Sequence, residues 1–107
     1  MLPATTVQPW TFINHKRQAY MFRAEVTVTL RPAILDVQGK TVENALHSLG
    51  YRDVGHVRIG KYITLDIDAP TATRAEEIAR EVSEKLLSNP VIEDFTVAVN
   101  ELSEAER

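Results

Sequence analysis

Gly39-Lys40-Thr41 stands where a loop turns into a helix, the placement that the end of a phosphate-binding loop would have. Such a loop also needs a glycine five residues upstream, so that successive backbone N–H groups can curl around a phosphate. Here that position is Ile34, and the cradle is lost. What remains is a helix start, where backbone N–H groups with Lys40 beside them could meet an anion or a partner's carboxylate. Asp66 and Asp68 lie on one face of a β-rich run, which would suit general acid and base work. No nucleophile or basic group accompanies them in sequence, so they read as a solvated face. His15, His47 and His56 have none of the paired spacing that metal ligands favour. The glycines at 39, 50, 55 and 60 form no dinucleotide fingerprint, and the absence of cysteine excludes a thiolate nucleophile, a zinc ribbon and a disulfide framework. These residues assemble no catalytic, cofactor or metal site.

Composition narrows the classes further. A length of 107 residues allows one domain. The net charge of −3 supplies too little basic surface to neutralise a phosphate backbone, so nucleic acid is not the expected partner. The longest apolar runs are far short of the ~20 residues of a membrane span, and there is no apolar secretory region, so neither a membrane nor an export route is expected. A cytoplasmic setting is predicted.

Residues 1–20 hold two prolines, one Trp and no sustained apolar period, and read as an irregular arm. Regular patterning begins at Met21. Phe22, Ala24, Val26, Val28 and Leu30 alternate with Arg23, Glu25, Thr27 and Thr29, which predicts a long strand with one buried face. Asp36 can cap a helix carrying Val42, Ala45, Leu46 and Leu49 on one stripe, and Gly50 follows where a left-handed residue is wanted. The runs 54–59 and 62–68, joined by Gly60-Lys61, predict a tight hairpin. A second helix is expected over 71–88, with Ala75, Ile78, Ala79, Val82 and Leu86 inward, a Thr73–Glu76 capping box and a solvated acidic face. A last strand follows over 91–99, and residues 101–107 read as a solvated tail.

The order βαββαβ predicts an α+β domain over 21–100, a four-stranded antiparallel sheet with two helices on one face. So small a domain has a thin core and exposed sheet edges, which favours self-association through the sheet as a dimer or tetramer.

Residues 35–51, LDVQGKTVENALHSLGY, followed by 57–63, VRIGKYI, resemble PurS, the family of small subunits of phosphoribosylformylglycinamidine synthase. The resemblance covers about residues 22–99. The family pattern has Lys-Pro-Gly where this chain has Arg31-Pro32-Ala33, and Asp-Pro-Gln-Gly where it has Asp36-Val37-Gln38-Gly39. Proline at the position of Val37 suits the first turn of a helix capped by Asp36, so the change costs little. The arm has no counterpart in the family's usual length.

The resemblance implies an accessory role in de novo purine synthesis. In that family the small subunit, usually a dimer, bridges a large ATP-using synthetase subunit, PurL, and a glutaminase subunit, PurQ, so that ammonia passes from glutamine to the formylglycinamide ribonucleotide. The Mg-ATP site belongs to the large subunit, and no cofactor is expected on this chain alone. The expected subunit contacts are Asp36, Gln38, Gly39 and Lys40 at the helix start, with Arg58, Gly60, Lys61 and Tyr62 at the hairpin tip. The alternative is a regulatory module of the ACT type, which also pairs βαββαβ units through their sheets. Its ligand would lie beside a glycine-rich first loop, and here residues 31–38 hold no glycine.

Overall fold

The structure, a computed structural model, describes residues 20–103. Of the expected arm only Tyr20 falls among them, as do the first residues of the expected tail.

Strand β1, Met21–Leu30, forms where the alternation places it, with Phe22, Ala24, Val26 and Val28 buried and Thr27 and Thr29 exposed. It is the centre of a three-stranded antiparallel sheet of order β2-β1-β3, in which β2 is Lys61–Asp68 and β3 is Glu93–Glu101. Ala24 pairs with Leu65 on one side and Val99 on the other, and Val26 with Ile63 and Val97. This register brings the apolar residues of all three strands to one face.

Helix α1 is Val37–Ser48 and helix α2 is Ala72–Val82. Helix α2 makes the extensive packing on the sheet. Its Ala75 and Ala79 are fully buried against Phe22, Ala24, Ile67 and Ala69, and these small side chains let the helix sit close to the strands. The largest fully buried side chains are Val26, Val28 and Ser83, which makes for a thin core.

The cap of α2 is Thr71, whose hydroxyl accepts from the Arg74 N–H at 3.1 Å, not the expected Thr73–Glu76 box. Glu76 pairs instead with Arg80 at 3.0 Å. The helix also does not run unbroken to residue 88. After Val82 it widens into one π-helical turn, Ser83–Leu87, closed by the Ser88 N–H on the Ser83 carbonyl at 2.9 Å. The buried Ser83 hydroxyl donates to the Ala79 carbonyl at 2.7 Å, and the buried Ser88 hydroxyl donates to the Ser83 carbonyl at 2.9 Å. These side-chain bonds compete with the regular ladder and satisfy the wider turn.

Three expectations are corrected. Residues 54–59 form no strand, so among the described residues the sheet has three strands and not the expected four. Gly60-Lys61 makes no tight hairpin turn: Gly50 is the one described glycine with positive φ, at 103°. Helix α1 does not lie on the sheet, and its apolar stripe stays open, with Val42 exposed and Leu49 at 74%. The reason lies in the other side of α1, which holds the 54–59 backbone. The last strand also starts and ends later than expected: Val91 is exposed in the preceding turn, Glu101 closes β3, and Leu102 is buried, its N–H on the Met21 carbonyl at 2.9 Å.

The 31–34 turn closes with the Ile34 N–H on the Arg31 carbonyl at 2.9 Å. Ala33 keeps a negative φ there, so glycine is not required.

Candidate functional site

Asp36 is the hinge of the site. Its backbone is extended, φ −94° and ψ 94°, and its carboxylate turns back to cap α1, accepting from the Gly39 N–H at 2.7 Å. The second carboxylate oxygen accepts from the Ile59 N–H at 2.6 Å, so one buried side chain ties the helix start to a segment far along the chain. The Ile59 bond, then the Gly39 bond, hold the carboxyl below its ordinary range against the cost of desolvation, with Arg58 assisting.

Further along the same helix face, Glu43 accepts from the Val57 N–H at 3.3 Å and the His47 ring nitrogen Nε2 meets the Val54 carbonyl at 2.6 Å. The Val57 bond is the main cause of a lowered Glu43 carboxyl, and Lys40, 3.6 Å away, adds to it. Side chains of α1 thus take the role that a neighbouring strand would take, and bind one edge of residues 54–59. Gly39 makes the approach possible: a Cβ there would lie 2.2 Å from the Val57 carbonyl oxygen. Within this segment His56 sits at φ 55°, the one described non-glycine residue with a positive φ.

The expected contact residues divide between these bonds and the surface. Asp36 and Gly39 are buried parts of the tie between α1 and residues 54–59. Gln38 and Lys40 are exposed on the first turn of α1. Arg58 donates to the Arg31 carbonyl at 3.0 Å, which anchors the segment to the end of β1. Gly60 passes so close to β1 that a Cβ would lie 2.5 Å from the Val28 carbonyl oxygen. Tyr62 is exposed on the open sheet face opposite Thr27, and its hydrogen bond to Glu25 is the main cause of a raised phenol pKa.

Lys61 is exposed, yet its side chain also makes contacts within the fold. Its ammonium donates to the Leu87 carbonyl at 3.2 Å, capping the π-helical turn, and lies 3.9 Å from Glu93. Lys61→Glu is therefore expected to lower the melting temperature by about 4 °C or more, whereas Lys40→Glu changes stability by less than ~0.5 kcal/mol. Thermal unfolding followed by circular dichroism checks both. Equal melting curves for the two variants would show that the Lys61 contacts contribute nothing.

The residues set aside on sequence are also placed. Thr41 donates its hydroxyl to the Val37 carbonyl at 2.9 Å, a bond within the helix. Asp66 is held by Arg23 at 2.8 and 3.2 Å on the open sheet face, and that ion pair lowers its carboxyl pKa. Among the described residues no three His, Asp or Glu side chains gather as metal ligands, and no helix is long and apolar enough to cross a membrane. Sequence reasoning missed Glu43 and His47. Their signal was available: Asp36, Gly39, Glu43 and His47 recur every three to four residues, a polar stripe beside the apolar one.

The arrangement is that of a small α+β domain whose polar groups position its own backbone and which leaves apolar side chains exposed. The family profile described as PurS, phosphoribosylformylglycinamidine (FGAM) synthase, matches residues 23–101, and the chain belongs to this family. It is 43% identical over 82 residues to the phosphoribosylformylglycinamidine synthase subunit PurS of Bacillus subtilis, covering 77% of this chain and 96% of that one. The PurS subunit of Methanocaldococcus jannaschii is 32% identical over 82 residues, 77% of this chain and 99% of that one. Among solved structures, B. subtilis PurS superposes with a TM-score of 0.68 at 42% identity, covering 75% of this chain and 99% of its own. A chain of the PurLQS structure from Thermotoga maritima superposes with a TM-score of 0.70 at 32% identity, covering 75% of this chain and 98% of its own.

Proposed function

We propose that this chain is the small, non-catalytic subunit of phosphoribosylformylglycinamidine synthase, the ATP-dependent glutamine amidotransferase of de novo purine synthesis. It bridges a large synthetase subunit of the PurL type and a glutaminase subunit of the PurQ type, so that ammonia released from glutamine reaches the formylglycinamide ribonucleotide. Mg-ATP is used by the large subunit, and this chain binds no cofactor by itself. The complex works in the cytoplasm, and the chain assembles with itself as well as with these two partners. Residues 21–100 are the working domain, to which the arm at 1–20 is dispensable. The exposed surface beside the tie, with Gln38 and Lys40 on α1 and Tyr62 on β2, is offered to partners.

The observation that carries this reading is α1 with residues 51–60. The unit is fixed internally by the Asp36, Glu43 and His47 bonds, yet it leaves Leu35, Val37, Leu49 and Tyr51 on its outside. A patch of that kind marks an interface between chains. The assembly named PurLQS in T. maritima supports the choice of partners.

Reconstitution tests it. The purified chain is expected neither to hydrolyse glutamine nor to consume ATP, and glutamine-dependent synthesis of formylglycinamidine ribonucleotide is expected only when it joins the other two subunits. Full glutamine-dependent activity from those two without it would overturn the assignment.

A further inference from the structure

Between the start of α1 and residues 56–58 lies a cavity of about 160 Å³, lined by Leu35, Asp36, Lys40, Glu43, His56 and Arg58 among others. Its carboxylates are engaged. Both oxygens of Asp36 accept backbone N–H groups, and Glu43 accepts the Val57 N–H on one oxygen and meets Lys40 at 3.6 Å with the other. The helix end is occupied as well: the Gly39 N–H goes to the Asp36 carboxylate and the Lys40 N–H to the Asp36 carbonyl. Side-chain donors are left over. Lys40 makes one ion pair, Arg58 gives one hydrogen bond to the Arg31 carbonyl, and among the described residues the His56 ring has no partner. Depth separates the charges: Asp36 is buried and the Glu43 side chain is only 15% exposed, whereas Lys40, His56 and Arg58 are all exposed. The mouth of the cavity is thus lined by donors, two of them cations, and suits an oxyanion.

His56 reaches this mouth against a backbone preference. It is the one described non-glycine residue with a positive φ, at 55°, while Gly55 beside it keeps a negative φ. Glycine would meet the left-handed position without strain, so the place of an imidazole there is not explained by the turn alone. Size then narrows the oxyanion. The cavity is smaller than the roughly 300–1,000 Å³ of sites that enclose a whole small molecule, so it takes an end group of something larger. Leu35 in its lining and Val37 on the first turn of α1 are exposed at 73% and 67%. Exposed apolar side chains beside a charged recess fit a docking chain, which would exclude water there and strengthen a charged contact.

We propose that this cavity receives the carboxylate of an aspartate or glutamate projecting from one of the other two subunits of the complex. Lys40, His56 and Arg58 hold the carboxylate, and Leu35 and Val37 pack against the partner's surface around it. The proposal rests on the subunit assignment above, and names the chemistry by which a partner recognises this chain.

Zero-length coupling in the reconstituted three-subunit complex reads the contact directly. A water-soluble carbodiimide joins an ammonium to a carboxylate that touches it, and mass spectrometry of the digest is expected to find Lys40 linked to an Asp or Glu of another subunit. Lys40→Gln combined with His56→Asn removes two of the three donors, and asparagine tolerates the left-handed φ. The double variant is expected to weaken assembly roughly tenfold or more in sedimentation velocity, with an unchanged melting temperature. Lys40 linked only to Glu43 or to another copy of this chain would overturn the proposal, as would a double variant that assembles as tightly as the natural chain. Inorganic phosphate is the probe for a free anion: shifts of the residue 56–58 amide signals on adding it, together with undiminished assembly by the double variant, would show a small-ion site instead. Each of these failures with glutamine-dependent synthesis intact leaves the subunit assignment standing, whereas a natural chain that supports no synthesis with the other two subunits overturns both.

Discussion

Gly39→Ala is expected to break the tie between α1 and residues 54–59, although alanine is the better helix former. The new methyl would lie 2.2 Å from the Val57 carbonyl oxygen and 2.9 Å from Asp36 Oδ2. The first of these is backbone, so relief requires the segment itself to move off the helix. Moving it lengthens the Ile59 bond to Asp36 and the Val57 bond to Glu43 together, since both depend on the same separation. Overpacking of this kind costs about 1–3 kcal/mol, against a helix-propensity gain of about 1 kcal/mol. The net loss of stability is modest, but the local effect is large: amide signals of residues 54–60 shift, their hydrogen exchange accelerates, and assembly with the large subunit weakens. Gly55→Ala is the control, because a Cβ there meets nothing within 4 Å. Hydrogen exchange in residues 54–60 that is the same for Gly39→Ala as for Gly55→Ala would show that Gly39 does not set the approach.

The two halves of the chain were unequally legible, and Gly39 shows why. Strands β1, β2 and β3 and helix α2 follow local periodicity, because the apolar face of each packs on neighbours in the same chain. The Asp36 cap and the left-handed Gly50 were also readable, since each depends on residues close in sequence. Residues 54–59 carry the β-rich composition of a strand, and composition cannot say which donors an extended segment will use. Here the competitors are Asp36, Glu43 and His47, whose claim on that backbone comes from three-dimensional proximity. The stripe of Val42, Leu46 and Leu49 correctly marks an apolar face, but periodicity is silent on whether the covering surface belongs to the same molecule. Lys61 shows the limit from the other side: a charged residue next to a glycine reads as exposed, as it is, but only the placement of Leu87 and Glu93 shows its contacts within the chain.

What this means for function is that these side chains set a shape. Asp36 and Glu43 have the residue types of acid and base catalysts, and both carboxylates are occupied by backbone N–H groups. Neither is free to take a proton from a substrate without releasing the segment it holds. Their contribution is thus positional: they fix how residues 54–60 are presented.

Acid should therefore loosen this unit before it unfolds the sheet. The carboxyl groups of Asp36 and Glu43 are both held below their ordinary values of 3.8 and 4.5, chiefly by backbone N–H bonds that only the folded chain makes. Between the lowered folded values and the ordinary unfolded ones, the unfolded chain binds more protons, so stability rises with pH. The contribution is complete above about pH 5 and is lost as pH falls through the folded values. Asp36→Asn keeps the size of the side chain but turns one of the two acceptors into an amide donor, which faces either the Gly39 or the Ile59 N–H. It is expected to lower the melting temperature at pH 7 by roughly 5 °C or more, and to flatten the fall in melting temperature between pH 5 and pH 3. Asp66→Asn, which removes a carboxylate from the exposed pair with Arg23, is expected to do much less at pH 7. Melting curves of the three proteins from pH 3 to pH 7, with amide signals of residues 54–60 followed in parallel, decide the matter. If Asp36→Asn retains the acid slope of the natural chain, the tie does not rest on the ionised carboxylate, and the account of the site given by its hydrogen bonds fails.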